Sequence, residues 1–192
     1  MKIAICSDSH DNIVNITTFL SYCRKNKIKI ILHCGDWCAP SVLRFFREKF
    51  KGEIYGVYGN VHADHETMQK FAKDNDIKLK SDEQLLNLRS VSVHHESQQS
   101  KRVHPAQLRG SNDATKIVTI ITHYPDNAKK LAETGKYQIV FYGHNHKPWM
   151  EKINETYMIN PGTLAGMFQR ASFAVYDTET KKLELKIVDQ IK

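Results

Sequence analysis

The sequence predicts an α/β fold in which two sheets pack face to face with helices outside. Two patterns predict it. In the first half, short apolar runs of strand character alternate with segments of helical periodicity, and the last quarter turns to successive strand-like runs. Length sets the scale: 192 residues suit one domain with a sizeable core, so the chain reads as a single domain over 1–192.

Each element follows from local chemistry. Ile3 to Cys6 opens the chain as a strand. Ile13, Ile16, Phe19, Leu20 and Cys23 then recur at helical spacing and would bury one face. Ile30 to Leu32 is a second strand. Pro40, with its fixed φ and missing N–H, suits the first turn of a helix over Ser41 to Phe50, with Val42, Leu43, Phe46 and Phe50 on its apolar face. Tyr55 to Tyr58 is a third strand, and Asp64 is the N-cap of a helix that turns Met68, Phe71 and Ala72 inward. Ile117 to Thr122 and Ile139 to Tyr142 are strands flanking a helix over Asp126 to Glu133, with Gly135 closing its C-terminus. Thr156 to Ile159, Ser172 to Tyr176 and Lys182 to Val188 complete the strands. The stretch around 90–116 is polar and lacks periodicity, so it reads as a long surface insertion; its functional alternative is a lid.

Composition narrows the class. Hydrophobic residues make up 41% and charged residues 26%, as in ordinary soluble globular proteins. Lys and Arg outnumber Asp and Glu by 28 to 21, a net +7 that suits anionic partners but equally a basic, solvated surface. Nucleic acid is therefore a possible partner, not the favoured one. The four cysteines, Cys6, Cys23, Cys34 and Cys38, form neither paired C-x-x-C spacing nor a dense disulfide framework. No signal-peptide stretch and no run near the ~20 apolar residues of a membrane span is present. A cytoplasmic, reducing home with no membrane partner is the expectation. Nothing in the sequence separates a monomer from a homo-oligomer.

The chemistry sits where strands end. Five strand-like runs lead into Asp8-Ser9-His10, Gly35-Asp36, Gly59-Asn60, His123 and Gly143-His144-Asn145-His146. In open α/β sheets ligands gather outside the carboxyl ends of the strands, where loops converge. Asp, Asn and His supply hard oxygen and imidazole nitrogen, suited to Mn²⁺, Fe²⁺, Ni²⁺, Zn²⁺ or Mg²⁺ rather than a thiolate-selective metal. Asp8, His10, Asp36, Asn60, His123, His144 and His146 make seven candidates, too many for one ion with an open position. Two ions sharing a carboxylate fit better, and two metals roughly 3.5–4 Å apart clamp an in-line displacement at phosphorus. Taken singly, Asp8, Asp36 and Asn60 could shape turns and His123 could be a buried histidine. Seven unrelated coincidences make the weaker account.

These five segments, in this order, resemble the motifs of the calcineurin-like metallophosphoesterases. Asn160-Pro161-Gly162-Thr163 and the chain length resemble the small bacterial and archaeal phosphodiesterase branch, over roughly residues 1 to 177. The resemblance implies a four-layered α/β sandwich with two mixed β-sheets. It implies a first metal held by Asp8, His10 and His146, a second by Asn60, His123 and His144, and Asp36 as the bridge. Asp36, Asn60 and His144 are then the catalytic candidates. The activity implied is metal-dependent hydrolysis of a small phosphoester, most suitably a phosphodiester, by a hydroxide bridging two divalent ions, with Mn²⁺ the expected metal.

The chain departs from the pattern in places. Many phosphatases of this superfamily have a His directly after the motif Asn, placed to protonate the leaving group; here Val61 stands there and His62 follows. Adjacent side chains on an extended segment point to opposite faces, so His62 does not simply inherit that role. Tyr124-Pro125 follows His123 where the family has Gly-His. Cys34 and Cys38 with His33 could suggest zinc, but a second ligand pair is missing. His94-His95 reads as an adventitious metal binder or plain surface polarity, and Lys147 and Arg170 as surface solvation, with a phosphate contact the alternative. Two rivals remain: a non-catalytic scaffold like the retromer subunit that shares this fold, and a DNA-processing nuclease, for which little chain is left to form a gripping domain.

Overall fold

The computed structural model describes residues 1–89 and 116–191. The polar insertion falls outside the described residues, except Lys116, which is the first residue of a strand.

Four parallel strands form the heart of the first sheet: β1 (Lys2–Cys6), β2 (Ile30–His33), β3 (Glu53–Val57) and β4 (Ile77–Lys80). The second sheet begins with β5 (Glu83–Arg89), antiparallel to β6 (Lys116–Thr122), which runs parallel to β7 (Ile139–Phe141). β9 (Thr156–Asn160) lies parallel to β7, and β8 (Trp149–Ile153) pairs antiparallel on its far side. β10 (Ser172–Asp177) and β11 (Lys182–Ile187) return antiparallel to the first sheet. The orders are β11-β10-β1-β2-β3-β4 and β5-β6-β7-β9-β8, both mixed.

Helices α1 (Ile13–Lys25), α2 (Pro40–Lys49) and α3 (His65–Asp74) follow β1, β2 and β3, and α4 (Pro125–Glu133) follows β6. Their buried residues divide the core into three layers. Ile16, Phe19, Leu43, Phe46 and Met68 pack with Ala4, Ile31 and Ile54 on the helical face of the first sheet. Ile3, Ile5, Leu32 and Val57 meet Leu86, Ile121, Phe141 and Ile159 between the sheets. Ala128 and Ala132 of α4 cover Ile120, Val140 and Met158 on the outer face of the second sheet. This is a four-layered α/β sandwich, because strands buried on both faces need cover on both.

Local signals account for the helix ends. Asp64 caps α3 by accepting the Thr67 N–H at 3.1 Å, Pro40 sits in the first turn of α2, and Gly135, at φ +66°, follows the C-cap of α4. Ile13 departs from expectation: it is 41% exposed rather than on the buried face of α1. The strands β4, β5 and β8 were not expected. All three are sheet edges rich in Lys, Glu or Gln, and charged edges discourage pairing with other chains while weakening the sequence signal. None of the described helices is long and apolar enough to cross a membrane.

Candidate metal centre

The fold brings all seven candidates together. β1, β2 and β3 deliver Asp8, His10, Asp36 and Asn60, while β6 and β7 deliver His123, His144 and His146. Close approach needs the glycines. A Cβ on Gly35 would overlap the His123 ring, one on Gly59 the Asp36 carboxylate, and one on Gly143 would lie 2.7 Å from Asp8 Oδ2. Five candidates also adopt left-handed backbone: Asp8 (φ 49°), His10 (42°), Asp36 (60°), His144 (73°) and His146 (60°). Such conformations cost on the order of 1–3 kcal/mol each and cluster where structure is strained for function.

Two groups of donor atoms result. In the first, Asp8, His10, Asp36 and His146 offer ligand atoms that all lie within 4.8 Å of one another. His146 Nε2 is 3.3 Å from Asp8 Oδ1 and 3.5 Å from His10 Nε2. In the second, Asn60 Oδ1 lies 2.8 Å from His123 Nε2 and 2.9 Å from His144 Nδ1. Asp36 touches both groups, with Oδ1 3.5 Å from His123 Nε2. That oxygen accepts the Asn60 and Val61 N–H groups, both at 2.8 Å, which fixes the carboxylate and leaves Oδ2 for a cation.

The proton inventory fits a metal. His123 donates its Nδ1–H to the Cys34 carbonyl at 2.8 Å, so a neutral ring turns the Nε2 lone pair toward Asn60 Oδ1, acceptor against acceptor. His146 donates its Nδ1–H to the Met167 carbonyl at 3.2 Å and likewise frees Nε2. Backbone carbonyls that hold the second ring nitrogen in this way orient metal-ligating histidines. Asp8 is buried, which opposes ionisation, yet the hydrogen bond from His146 and the surrounding histidines hold its carboxyl below the usual range. The same hydrogen bond raises His146 above the ordinary histidine value, against the effect of burial.

Other residues hold these loops, in roles that sequence reasoning missed. Asn160 donates Nδ2–H to the Gly143 carbonyl at 3.0 Å and to Asn145 Oδ1 at 2.8 Å, and Thr163 donates to the Asp8 carbonyl at 3.0 Å. His33, fully buried, stacks on Trp37 with ring centroids 3.6 Å apart. Its Nδ1 accepts the Gly35 N–H at 3.2 Å, so Nε2–H donates to Ser9 Oγ at 2.9 Å, and Ser9 in turn donates to the Asp36 carbonyl at 3.4 Å. Burial depresses the His33 pKa to about 3, in keeping with that neutral tautomer. The signal available in sequence was His33 itself, a polar residue ending an apolar run.

Several candidates lie elsewhere. His62 packs its ring near Tyr58 and His65, at 5.2 and 5.6 Å, and its Nδ1 is buried without a partner among the described residues. Arg170 pairs with Asp189 at 2.6 Å, and the Lys147 ammonium sits 5.3 Å over the Trp149 ring. Cys34 is buried between the sheets, His33 is committed to Ser9 and Gly35, and no metal-type cluster containing a cysteine forms among the described residues. His94 and His95 lie outside the described residues.

A two-sheet sandwich with Asp, Asn and His converging at its strand ends is an α/β protein with a candidate site for a divalent metal. Residues 1–181 match the calcineurin-like phosphoesterase superfamily domain, and the chain belongs to that family. It is 25% identical over 183 residues to phosphodiesterase MJ0936 of Methanocaldococcus jannaschii, covering 95% of this chain and 96% of that protein. Among solved structures, an archaeal phosphodiesterase superposes with a TM-score of 0.74 at 23% identity, covering 97% of this chain and 99% of the other. Wild-type Vps29 of Entamoeba histolytica, solved with zinc, superposes with a TM-score of 0.60 at 12% identity, covering 98% and 99%.

Proposed function

We propose that this chain is a divalent-metal-dependent phosphodiesterase acting on small phosphoesters. The observation that carries the reading is the convergence of seven donor residues in two groups that share Asp36. On this reading Asp8, His10 and His146 hold one cation, Asn60, His123 and His144 a second, and Asp36 bridges, with Mn²⁺ the metal proposed and Fe²⁺, Ni²⁺, Zn²⁺ and Mg²⁺ also suited to the mixed oxygen and nitrogen donors. Two such ions, when bound, supply a hydroxide nucleophile at neutral pH and neutralise charge on phosphoryl oxygens.

The chain's own residues do the positioning. The Asn60 and Val61 amides and the His33–Ser9 chain fix Asp36 from either side, while the Cys34 and Met167 carbonyls set the ring planes of His123 and His146. His144 is the most exposed of the proposed ligand histidines, so on this reading a substrate arrives from its side. Similarity to a named phosphodiesterase supports phosphodiesters over monoesters. One domain spanning 1–192, with the polar segment as an insertion, accords with a family match that runs through residue 181. Four unpaired cysteines accord with a reducing cytoplasm.

Elemental analysis of purified protein, followed by a panel of phosphomonoesters and phosphodiesters with Mn²⁺, Ni²⁺, Fe²⁺, Zn²⁺ and Mg²⁺, tests the reading. Two ions per chain and diester turnover are expected. Metal binding without turnover of any ester would make the chain a scaffold, and salt-sensitive DNA binding with strand cleavage would make it a nuclease.

A further inference from the structure

The loop between β9 and β10 sets a large aromatic ring at the edge of the metal centre. Its backbone is tied down at both ends. The Leu164 and Ala165 N–H groups donate to the Ser7 and Asp8 carbonyls at 2.8 and 3.0 Å. Asn12 and Asn15 donate to the Ala165 and Leu164 carbonyls at 2.8 and 3.0 Å, and Val188 N–H donates to the Ala171 carbonyl at 2.8 Å. Between these ties the Met167 carbonyl receives the His146 Nδ1–H. The next residue, Phe168, is 88% exposed, with its ring centroid 5.7 Å from that of His146.

Two features of Phe168 run against ordinary folding preference. Large aromatic side chains gain by burial, and this one stands in solvent. Its backbone is also left-handed, at φ 64°, where a bulky side chain is an outlier. It is the single large apolar side chain in that region among the described residues. Glycine or asparagine would fit that backbone without strain. The side chain is therefore held out by the loop rather than left out by default. Met167, which precedes it, is 43% exposed. Across the centre Tyr124, 36% exposed, packs edge-on against His144 and His123 with ring centroids 5.0 Å away in each case.

We propose that Phe168 is a specificity-determining residue, a platform on which a flat aromatic ester group of the phosphodiester stacks while its phosphoryl oxygens face the cations that the ligand residues would hold. The inference rests on the phosphodiesterase reading and adds the class of ester arm. A diester has two arms, and the centre has an aromatic side chain on each flank: Phe168 beside the Asp8–His10–His146 group and Tyr124 beside the Asn60–His123–His144 group. Stacking on Phe tolerates any ring with a π-face, so the site would select flat groups, aryl or nucleobase, over short alkyl ones without reading hydrogen-bond patterns.

The test measures binding directly. Calorimetry on the full, Mn²⁺-loaded chain compares methyl(phenyl)phosphinate with dimethylphosphinate, singly charged diester mimics whose P–C bonds are not hydrolysed, for wild type and for Phe168→Ala, Phe168→Leu and Phe168→Gly. Aromatic stacking predicts that Phe168→Ala lowers the phenyl-to-methyl affinity ratio about 5- to 20-fold, with Phe168→Leu in between. Phe168→Gly should lose the ratio equally while its thermal midpoint stays at or above wild type. All three variants should keep wild-type metal content. An unchanged ratio overturns the proposal. So does a fall in metal content, which would make the loop a support for His146, or a wild-type dimer that Phe168→Ala dissociates with the ratio intact, which would make the ring a contact between copies. If wild type turns over no diester, the phosphodiesterase reading fails while the affinity ratio still decides the platform.

Discussion

His33 should make the stability of the metal-free protein depend on pH in a way that one substitution removes. The ring is fully buried, stacked on Trp37, and bonded through both nitrogens as the neutral tautomer, and its pKa falls to about 3. In the unfolded chain a histidine takes up its proton near pH 6.5, so below that pH the unfolded state binds more protons and stability declines with falling pH. At about 1.4 kcal/mol per pH unit, the folded state loses about 2 kcal/mol between pH 7.5 and 5, and roughly 4 kcal/mol by pH 3. His33→Gln keeps an amide donor able to reach toward Ser9 and cannot titrate. It should be less stable at pH 7.5, through lost stacking on Trp37, by about 1–3 kcal/mol. The gap between wild type and variant should then narrow by about 2 kcal/mol at pH 5. Urea denaturation in chelator at half-unit pH steps gives both curves, and the carboxylates, common to the two proteins, cancel in the difference. A gap constant from pH 7.5 to 5 would refute the reasoning.

Asp36→Ala should lower metal content per chain by elemental analysis and abolish diester turnover. It should also cost about 2–4 kcal/mol in urea, since the Asn60 and Val61 N–H groups lose their acceptor; full metal content in an active variant would contradict the bridging role. Gly59→Ala, at φ +86° and with its Cβ overlapping the Asp36 carboxylate, should lose metal and about 2 kcal/mol or more of stability, read by the same two measurements. Metal affinity in calorimetric titrations should fall about tenfold per pH unit below the raised pKa of His146, because the proton shared with Asp8 must leave before a cation enters; a flat profile there would exclude His146 as a ligand. With Val61 after Asn60, aryl diesters should be cleaved far faster than alkyl ones, with a steep dependence on leaving-group pKa that His62→Ala leaves unchanged; a shallow dependence that steepens in the variant would make His62 the acid.

The sequence by itself determined the α/β class, the central strands and the four helices. Each of these carries a local signature: an apolar run, a 3.6-residue period, a Pro in the first turn or an Asp at the cap. It also named the seven donor residues, because polar groups at the ends of apolar runs stand out against their neighbours. The edge strands β4, β5 and β8 escaped it, since charged residues there serve the solvent side and blur the pattern. Only the tertiary structure decided how the donors divide into two groups around Asp36, which carbonyls hold His123 and His146, and that His33 lies beneath the site through Ser9. It alone exposed Phe168 and turned five ligand candidates into left-handed backbone. The physical reason is separation along the chain. Asp8 meets His146, and Asn60 meets His123, across contacts that exist only once two sheets have packed face to face, and no local propensity encodes the distance between them.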